Sequence, residues 1–164
     1  MSRGAPGEGV LRLALGAVAL AGLGVAGYLT AVRASGGDPA CVLGGDCTTV
    51  QESEYAELAG VPVAVLGLLA YGALLVAAIL PGPLGRALGL FTAIVGVGFS
   101  AWLTYAEIFL IEAICAWCVA SAVLITLALI LAAARARVAA TREGTARRSA
   151  PGPSATGPSP GSSR

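Results

Sequence analysis

The sequence predicts an all-α membrane protein: a bundle of four transmembrane helices, with an outer loop and a short interfacial helix between spans 1 and 2. Three observations predict it. Of the 164 residues, 57% are hydrophobic and only 12% charged, with a mean hydropathy of +0.84. A soluble domain carries roughly 25% charge, and this chain has too little polar side chain to cover a water-facing surface. The apolar residues fall into runs long enough to cross a bilayer, about 20 residues at 1.5 Å each. The arginines collect on alternate sides of those runs, as short cytoplasmic loops do.

The first span runs from about Leu13 to Val32, with no charge between Arg12 and Arg33. A cleaved signal peptide is the competing reading of this run, but its length exceeds the usual h-region of roughly 7–15 residues. The second span runs from about Val61 to Leu80 and stops at Pro81-Gly82-Pro83, a helix terminator. From Ala87 to Ala134 the only charges are Glu107 and Glu112. That stretch is too long for one crossing, so it divides into a third span, about Ala87 to Ala106, and a fourth, about Ile114 to Ala134. Small residues at Gly22-x-x-x-Ala26 and Gly85-x-x-x-Gly89 suit close helix approach.

With both termini inside, nine arginines face Glu8 and Glu143 on the inner side. The outer segments hold Arg33 against Asp38, Asp46, Glu52, Glu54, Glu57, Glu107 and Glu112. The net charge of +1 therefore conceals an inner +7 and an outer −6. Residues 1–12 read as a cytoplasmic N-terminus, 13–134 as the membrane domain with its outer loop over 33–60, and 135–164 as a disordered cytoplasmic tail. From about Thr141 the tail has no large apolar residue with which to order itself. The expected setting is a multi-pass cell (inner) membrane protein, its tail arginines in reach of anionic lipid. No fold or aromatic pattern supports a nucleic-acid partner.

The chain has no histidine and no lysine, which excludes Ser-His and Cys-His nucleophiles, Schiff bases and a P-loop lysine. Cys41, Cys47, Cys115 and Cys118 remain as the redox-reactive side chains. The topology puts all four on the outer, oxidising side, where two pairs can exchange disulfides. Turn-rich Ser35-Gly36-Gly37-Asp38-Pro39 precedes the first pair, and Gly44-Gly45-Asp46 lies within it. Thr49-x-x-Glu52 reads as a capping box opening a short interfacial helix through about Leu58 that ends at Gly60. Cys115-Ala116-Trp117-Cys118 opens the fourth helix, whose unpaired N–H groups and positive dipole end favour a thiolate. The three-residue spacing puts both sulfurs on one face. There a cysteine can meet a lipid-soluble ligand between the helices while its neighbour meets the loop.

Alternatives stand beside this reading. The cysteines can instead be packing residues and a structural loop disulfide, in a non-catalytic membrane scaffold. A four-thiolate metal site is disfavoured by the six-residue step from Cys41 to Cys47, and no metal is expected. Glu107 and Glu112 read as ordinary interfacial charges. Trp102, Trp117, Tyr28 and Tyr105 read as an aromatic belt, and Trp117 alternatively as a border for a quinone ring.

Cys41-x5-Cys47, Ser53-Glu54-Tyr55-Ala56, Gly60-Val61-Pro62-Val63-Ala64, Gly67, Tyr71 and Cys115-x-x-Cys118 together resemble the bacterial vitamin K epoxide reductase homologues over about Tyr28 to Ser121. Disulfide bond formation protein B, which has similar chemistry, carries its C-x-x-C in the first outer loop and its wider pair in the second, the reverse of the order here. The resemblance implies a four-helix bundle around a quinone, reduced with electrons from a secreted thioredoxin-fold protein, in support of disulfide bond formation; because the tail reads as disordered and cytoplasmic, this extracytoplasmic partner is expected to be a separate protein. On that basis Cys41 takes electrons from the partner, Cys47 relays them to Cys115, and Cys118 faces the quinone. Ser53 matches a family serine and is an orienting hydroxyl or a simple polar contact. Animal members use an asparagine and a tyrosine to bind substrate, where the nearest counterparts here are Val63 and Ala122. Neither side chain donates a hydrogen bond, so the resemblance favours quinone reduction over epoxide reduction.

Overall fold

A computed structural model describes residues 6–41 and 46–149. The expected features at residues 1–5, at the Gly44-Gly45 turn and over 150–164 lie outside these. Helix α1 (Pro6–Ala34) is followed by a short α2 (Cys47–Glu52), a 3₁₀ turn (Glu54–Ala56) and a two-residue hairpin, β1 (Glu57–Leu58) with β2 (Val61–Pro62). Then come α3 (Val63–Ile79), α4 (Gly82–Ala106), a π-helical turn (Glu107–Ile111) and α5 (Ala116–Ser149). The hairpin is antiparallel, with Glu57 opposite Pro62 and Leu58 opposite Val61.

The four long helices pack in a ring: α1 on α3 and α5, α4 on α3 and α5. Three of the apolar stretches, Gly7–Ala34, Gly82–Ile111 and Ala116–Ser149, are long enough to cross a membrane, whereas α3 is a shorter apolar helix of 17 residues. At 1.5 Å per residue α3 is about 25 Å long, slightly under the hydrocarbon thickness. The shortfall against the expected Val61–Leu80 span arises because Val61 and Pro62 pair in the hairpin.

The interior is built from small and branched residues, among them Leu15, Ala19, Ala26, Leu74, Ala93, Ile125 and Ala128. The outside exposes Leu13, Leu20, Leu69, Phe91, Ile94, Val123 and Ile130, an apolar surface suited to lipid. Two glycines set helix separation. A Cβ on Gly22 would run into the Tyr71 ring, and one on Gly96 into Ile125. The expected small-residue pair at Gly22 and Ala26 thus lets α1 approach α3, where Ala26 meets Gly67.

Two expectations need correction. The interfacial helix stops at Glu52 rather than Leu58, because Ser53 takes an extended conformation. Its cap is Asp46, whose Oδ1 accepts the Thr49 N–H at 3.1 Å. Thr49 lies inside the helix, so it is not the opening residue of a capping box. The Gly60 stop survives in another form: Ala59 and Gly60 both have positive φ, as a tight two-residue hairpin turn requires.

The second correction concerns the C-terminal end of α5. Residues 135–149, expected as disordered tail, continue α5. Alanine and arginine are strong helix formers, and Arg135 is 1% exposed, with Nη1 donating to the Ala77 carbonyl at 3.1 Å. Arg12 adds Nε to the Ala78 carbonyl at 2.9 Å and Nη2 to that of Ile79. These two guanidiniums satisfy carbonyls that the C-terminus of α3 leaves without an intrahelical partner. Arg86 lies 3.7 Å from Glu8 and 3.5 Å from Glu143, tying α4 to α1 and to the extension of α5.

Candidate functional site

All four cysteines meet at one end of the bundle, the end that the charge map predicts to be the outer one. Cys41 and Cys47 form a disulfide, with their Cα atoms 5.7 Å apart. Cys115 and Cys118 are free. Cys47 and Cys115 are 1% and 0% exposed and pack in one apolar cluster with Val50. Cys41, Cys118, Trp117, Ile111 and Ala113 lie against it. The inner sulfur of the loop pair therefore sits with the first sulfur of the helix pair, while Cys41 is half-buried at the rim.

The loop disulfide is anchored on both sides. Ala40, the residue before Cys41, has both backbone groups held: its N–H donates to Tyr28 Oη at 2.9 Å, and its carbonyl accepts Trp117 Nε1–H at 2.9 Å. The two rings are 4.9 Å apart and tilted. Asp46, the residue before Cys47, donates its N–H to the Ile114 carbonyl at 3.1 Å. The Cys41 sulfur in turn accepts the Cys47 N–H at 3.2 Å. Tyr28 and Trp117, expected as belt aromatics, hold the loop in register with the C-x-x-C.

The second half of the site hangs on Glu107. Helix α4 ends in a π-helical turn whose wide loop closes on the Glu107 carbonyl, which accepts N–H groups of Glu112 and Ala113. Glu112 completes the turn with φ +56°. The Glu107 side chain points inward, is 4% exposed, and accepts the Cys115 N–H on Oε2 at 3.1 Å. The Cys118 thiol adjoins both this carboxylate and the Cys115 sulfur. The sequence reads Glu107, like Glu112, as an ordinary interfacial charge, and the structure buries it. The available signal was a carboxylate eight residues before the C-x-x-C within an otherwise apolar stretch, where an ionisable group is costly without a purpose.

Cys115 precedes the first turn of α5. The Cys118 thiol donating to its sulfur lowers its pKa from 9.0 to about 7, aided by the Cys118 and Trp117 N–H groups and opposed by burial and by Glu107. The expected activation by a helix N-terminus is present in those two N–H groups, with the neighbouring thiol as the larger effect. At the rim, the Thr49 hydroxyl and N–H hold the Asp46 carboxyl below its ordinary range.

Below the sulfurs lies a cavity of about 440 Å³ between the helices, within the roughly 300–1,000 Å³ usual for small-ligand sites. Its walls are apolar residues such as Val25, Leu29, Phe91, Val95, Phe99 and Leu103, and Cys118, Trp117 and Glu107 line its outer end. Ser53 also lines it, with its hydroxyl donating back to the Val50 carbonyl at 2.7 Å. Val63 is in the wall. On α5 Ser121 lines the cavity and its neighbour Ala122 does not, and the Tyr71 hydroxyl bonds the Ser121 carbonyl at 2.9 Å and hydroxyl at 3.0 Å. Among the described residues, no group of three or more His, Cys, Asp or Glu is arranged to hold a metal ion.

A search of curated proteins gives no match to this sequence. A family model does match, over residues 13–133, which is well over half of the chain and includes all four cysteines. With its apolar helices and its loop disulfide, the chain belongs to the Vitamin K epoxide reductase family, a membership that points to membrane thiol-disulfide oxidoreductase activity.

Proposed function

We propose that this protein is a thiol:quinone oxidoreductase that reoxidises an extracytoplasmic thioredoxin-fold disulfide carrier and passes the electrons to a membrane quinone. In this reading α1, α3, α4 and α5 are four spans of the cell membrane with both termini cytoplasmic, and the cysteines face the oxidising side. The observation that carries it is the packing of buried Cys47 against buried Cys115, with Cys41 toward solvent and Cys118 toward the apolar cavity. The four sulfurs form a path from water to lipid-soluble substrate.

Each transfer balances as an exchange. A partner dithiol attacks the Cys41 sulfur of the loop disulfide, leaving as a disulfide and giving the Cys41, Cys47 dithiol. The Cys47 thiolate attacks Cys115 in a Cys115–Cys118 disulfide, and Cys41 then displaces Cys115 to restore the loop disulfide. The arrangement in hand, with the loop pair oxidised and the helix pair reduced, corresponds to the stage that follows. The dithiol of Cys115 and Cys118 next becomes a disulfide, releasing two electrons and two protons, which together convert a quinone to a hydroquinone. An apolar cavity of this size fits a quinone ring, and Trp117 and Ser53 border it.

Trapping tests the relay. In Cys118→Ala protein the Cys115 thiolate attacks Cys47, and the resulting Cys47–Cys115 disulfide has no resolving thiol on the helix. Mass spectrometry of non-reduced peptides should find that linkage as a substantial fraction. If Cys41–Cys47 remains the sole linkage under mild reduction and reoxidation, the loop disulfide is a staple and the protein a scaffold.

A further inference from the structure

Glu107 is a carboxylate in an unusual place: 4% exposed, in the π-helical turn that follows α4, with its Oε2 on the Cys115 N–H and its carboxyl beside the Cys118 thiol and the cavity. An amide or hydroxyl would have been enough to satisfy one N–H. A buried carboxylate is costly to desolvate and retains acceptor capacity beyond that single bond. The chain has no histidine, so the usual carrier of protons at a thiol site is missing. The titratable groups that face Cys118 are Glu107 and Cys115. The remaining cysteines are joined in a disulfide and do not titrate.

We propose that Glu107 is the proton acceptor of the Cys118 thiol, and that it passes that proton toward the cavity. This rests on the thiol:quinone reading and adds the residue that moves the proton. The Cys118 S–H bond breaks, an O–H bond forms on the Glu107 carboxylate, and sulfur keeps the electron pair. When the Cys115–Cys118 bond forms, two electrons leave for the quinone. Glu107 gives up its proton to the near quinone oxygen and returns to the carboxylate. The second proton, from Cys115, is released to water at the loop, and the far oxygen takes one from water, so two protons and two electrons are transferred in all.

A neighbouring base has a kinetic signature that needs neither quinone nor partner. If the proton moves from sulfur to Glu107, the pair keeps its total proton count. The share of Cys118 present as thiolate is then independent of pH while the pair holds one proton. Without an acceptor, the thiolate share rises about tenfold per pH unit below the thiol pKa. The test uses the full chain in detergent with Cys115→Ser, which leaves Cys118 as the sole free thiol beside the loop disulfide. Its alkylation rate by a small maleimide is followed from pH 6 to 8 and corrected for the reagent's own pH dependence. With Glu107 present the rate should change less than threefold across that range. With Glu107→Gln, which keeps an oxygen for the Cys115 N–H, it should climb close to a hundredfold. A hundredfold climb with Glu107 intact overturns the proposal, and that arm alone decides if the glutamine variant fails to fold. Equal profiles in both proteins overturn it as well. A flat profile in the Cys115→Ser protein beside a wild type that reduces no quinone leaves the proton acceptor standing and sinks the thiol:quinone reading instead.

Discussion

The two ends of the bundle each bury a charged side chain against backbone, with opposite sign and opposite consequence. At the inner end, Arg135 and Arg12 donate to the carbonyls of Ala77, Ala78 and Ile79 that α3 leaves free. At the outer end, Glu107 accepts the Cys115 N–H just before α5 begins. The inner charges close off a helix terminus and join continuous helices. The outer charge sits among a π turn, a 3₁₀ turn and a six-residue helix, where sulfurs must be able to change partners. One end fixes the bundle and the other is assembled from short pieces that local rearrangement can shift.

Removing a sulfur from the outer end should have the largest effect. Cys115→Ala breaks the relay at its buried midpoint and should lower disulfide exchange at least about a hundredfold, as expected when a covalent nucleophile is lost. Helix content and melting temperature should stay close to those of the parent. The inner end should show the reverse. Arg135→Ala leaves the Ala77 carbonyl unpaired and a void between α3 and α5, costing about 3 kcal/mol. Thermal unfolding in detergent should report that loss, while exchange per folded molecule is unchanged. Arg135 Nε and Nη2 have no hydrogen-bond partner among the described residues, so Arg135→Met should cost much less than Ala.

Smaller effects sharpen the outer end. Trp117→Phe keeps the ring near Tyr28 but removes the Nε1–H bond to Ala40, worth about 1 kcal/mol. Transfer between the cysteine pairs should slow about fivefold, read by quenched alkylation of the exchanging thiols. For Cys115, the folded pKa of about 7, lowered from the ordinary 9.0, means that the thiolate, and with it alkylation of reduced protein, rises with pH up to about 7 and then levels. By linkage the unfolded state holds more protons between those values, so this group favours folding increasingly as pH rises from 7 to 9 and loses its contribution as pH falls through 7. The smallest change is Glu112→Gly, which relieves a positive φ at a non-glycine residue and should stabilise by under about 1 kcal/mol.

The contrast between the ends also explains what could be read from the chain. The long apolar helices followed from hydropathy, and the grouping of four sulfurs on one side from the charge map, because both are additive over many residues. Details set by a single long-range contact did not follow. Arg135 looked like the arginine that ends a span, since nothing local announces that its guanidinium reaches Ala77 on another helix. Glu107 looked like the equal of Glu112 five residues away. A π turn makes one buried and leaves the other exposed. The interfacial helix failed for a local reason: Thr49 was read as its cap, whereas the Asp46 N–H bond to Ile114 fixes Asp46 three residues earlier, where its carboxylate caps the helix. The loop's attachment through Ala40 was invisible because both of its bonds use backbone atoms of an alanine.

The most direct test is quinone reduction by the purified full chain, supplied with a reduced thioredoxin-fold protein and followed by quinone absorbance. Wild type and Arg135→Met, the latter counted per folded molecule, should turn the quinone over at similar rates, and Cys41→Ala, Cys47→Ala, Cys115→Ala and Cys118→Ala should each leave it oxidised. Quinone left oxidised by wild type, or still reduced by Cys118→Ala, would contradict the account.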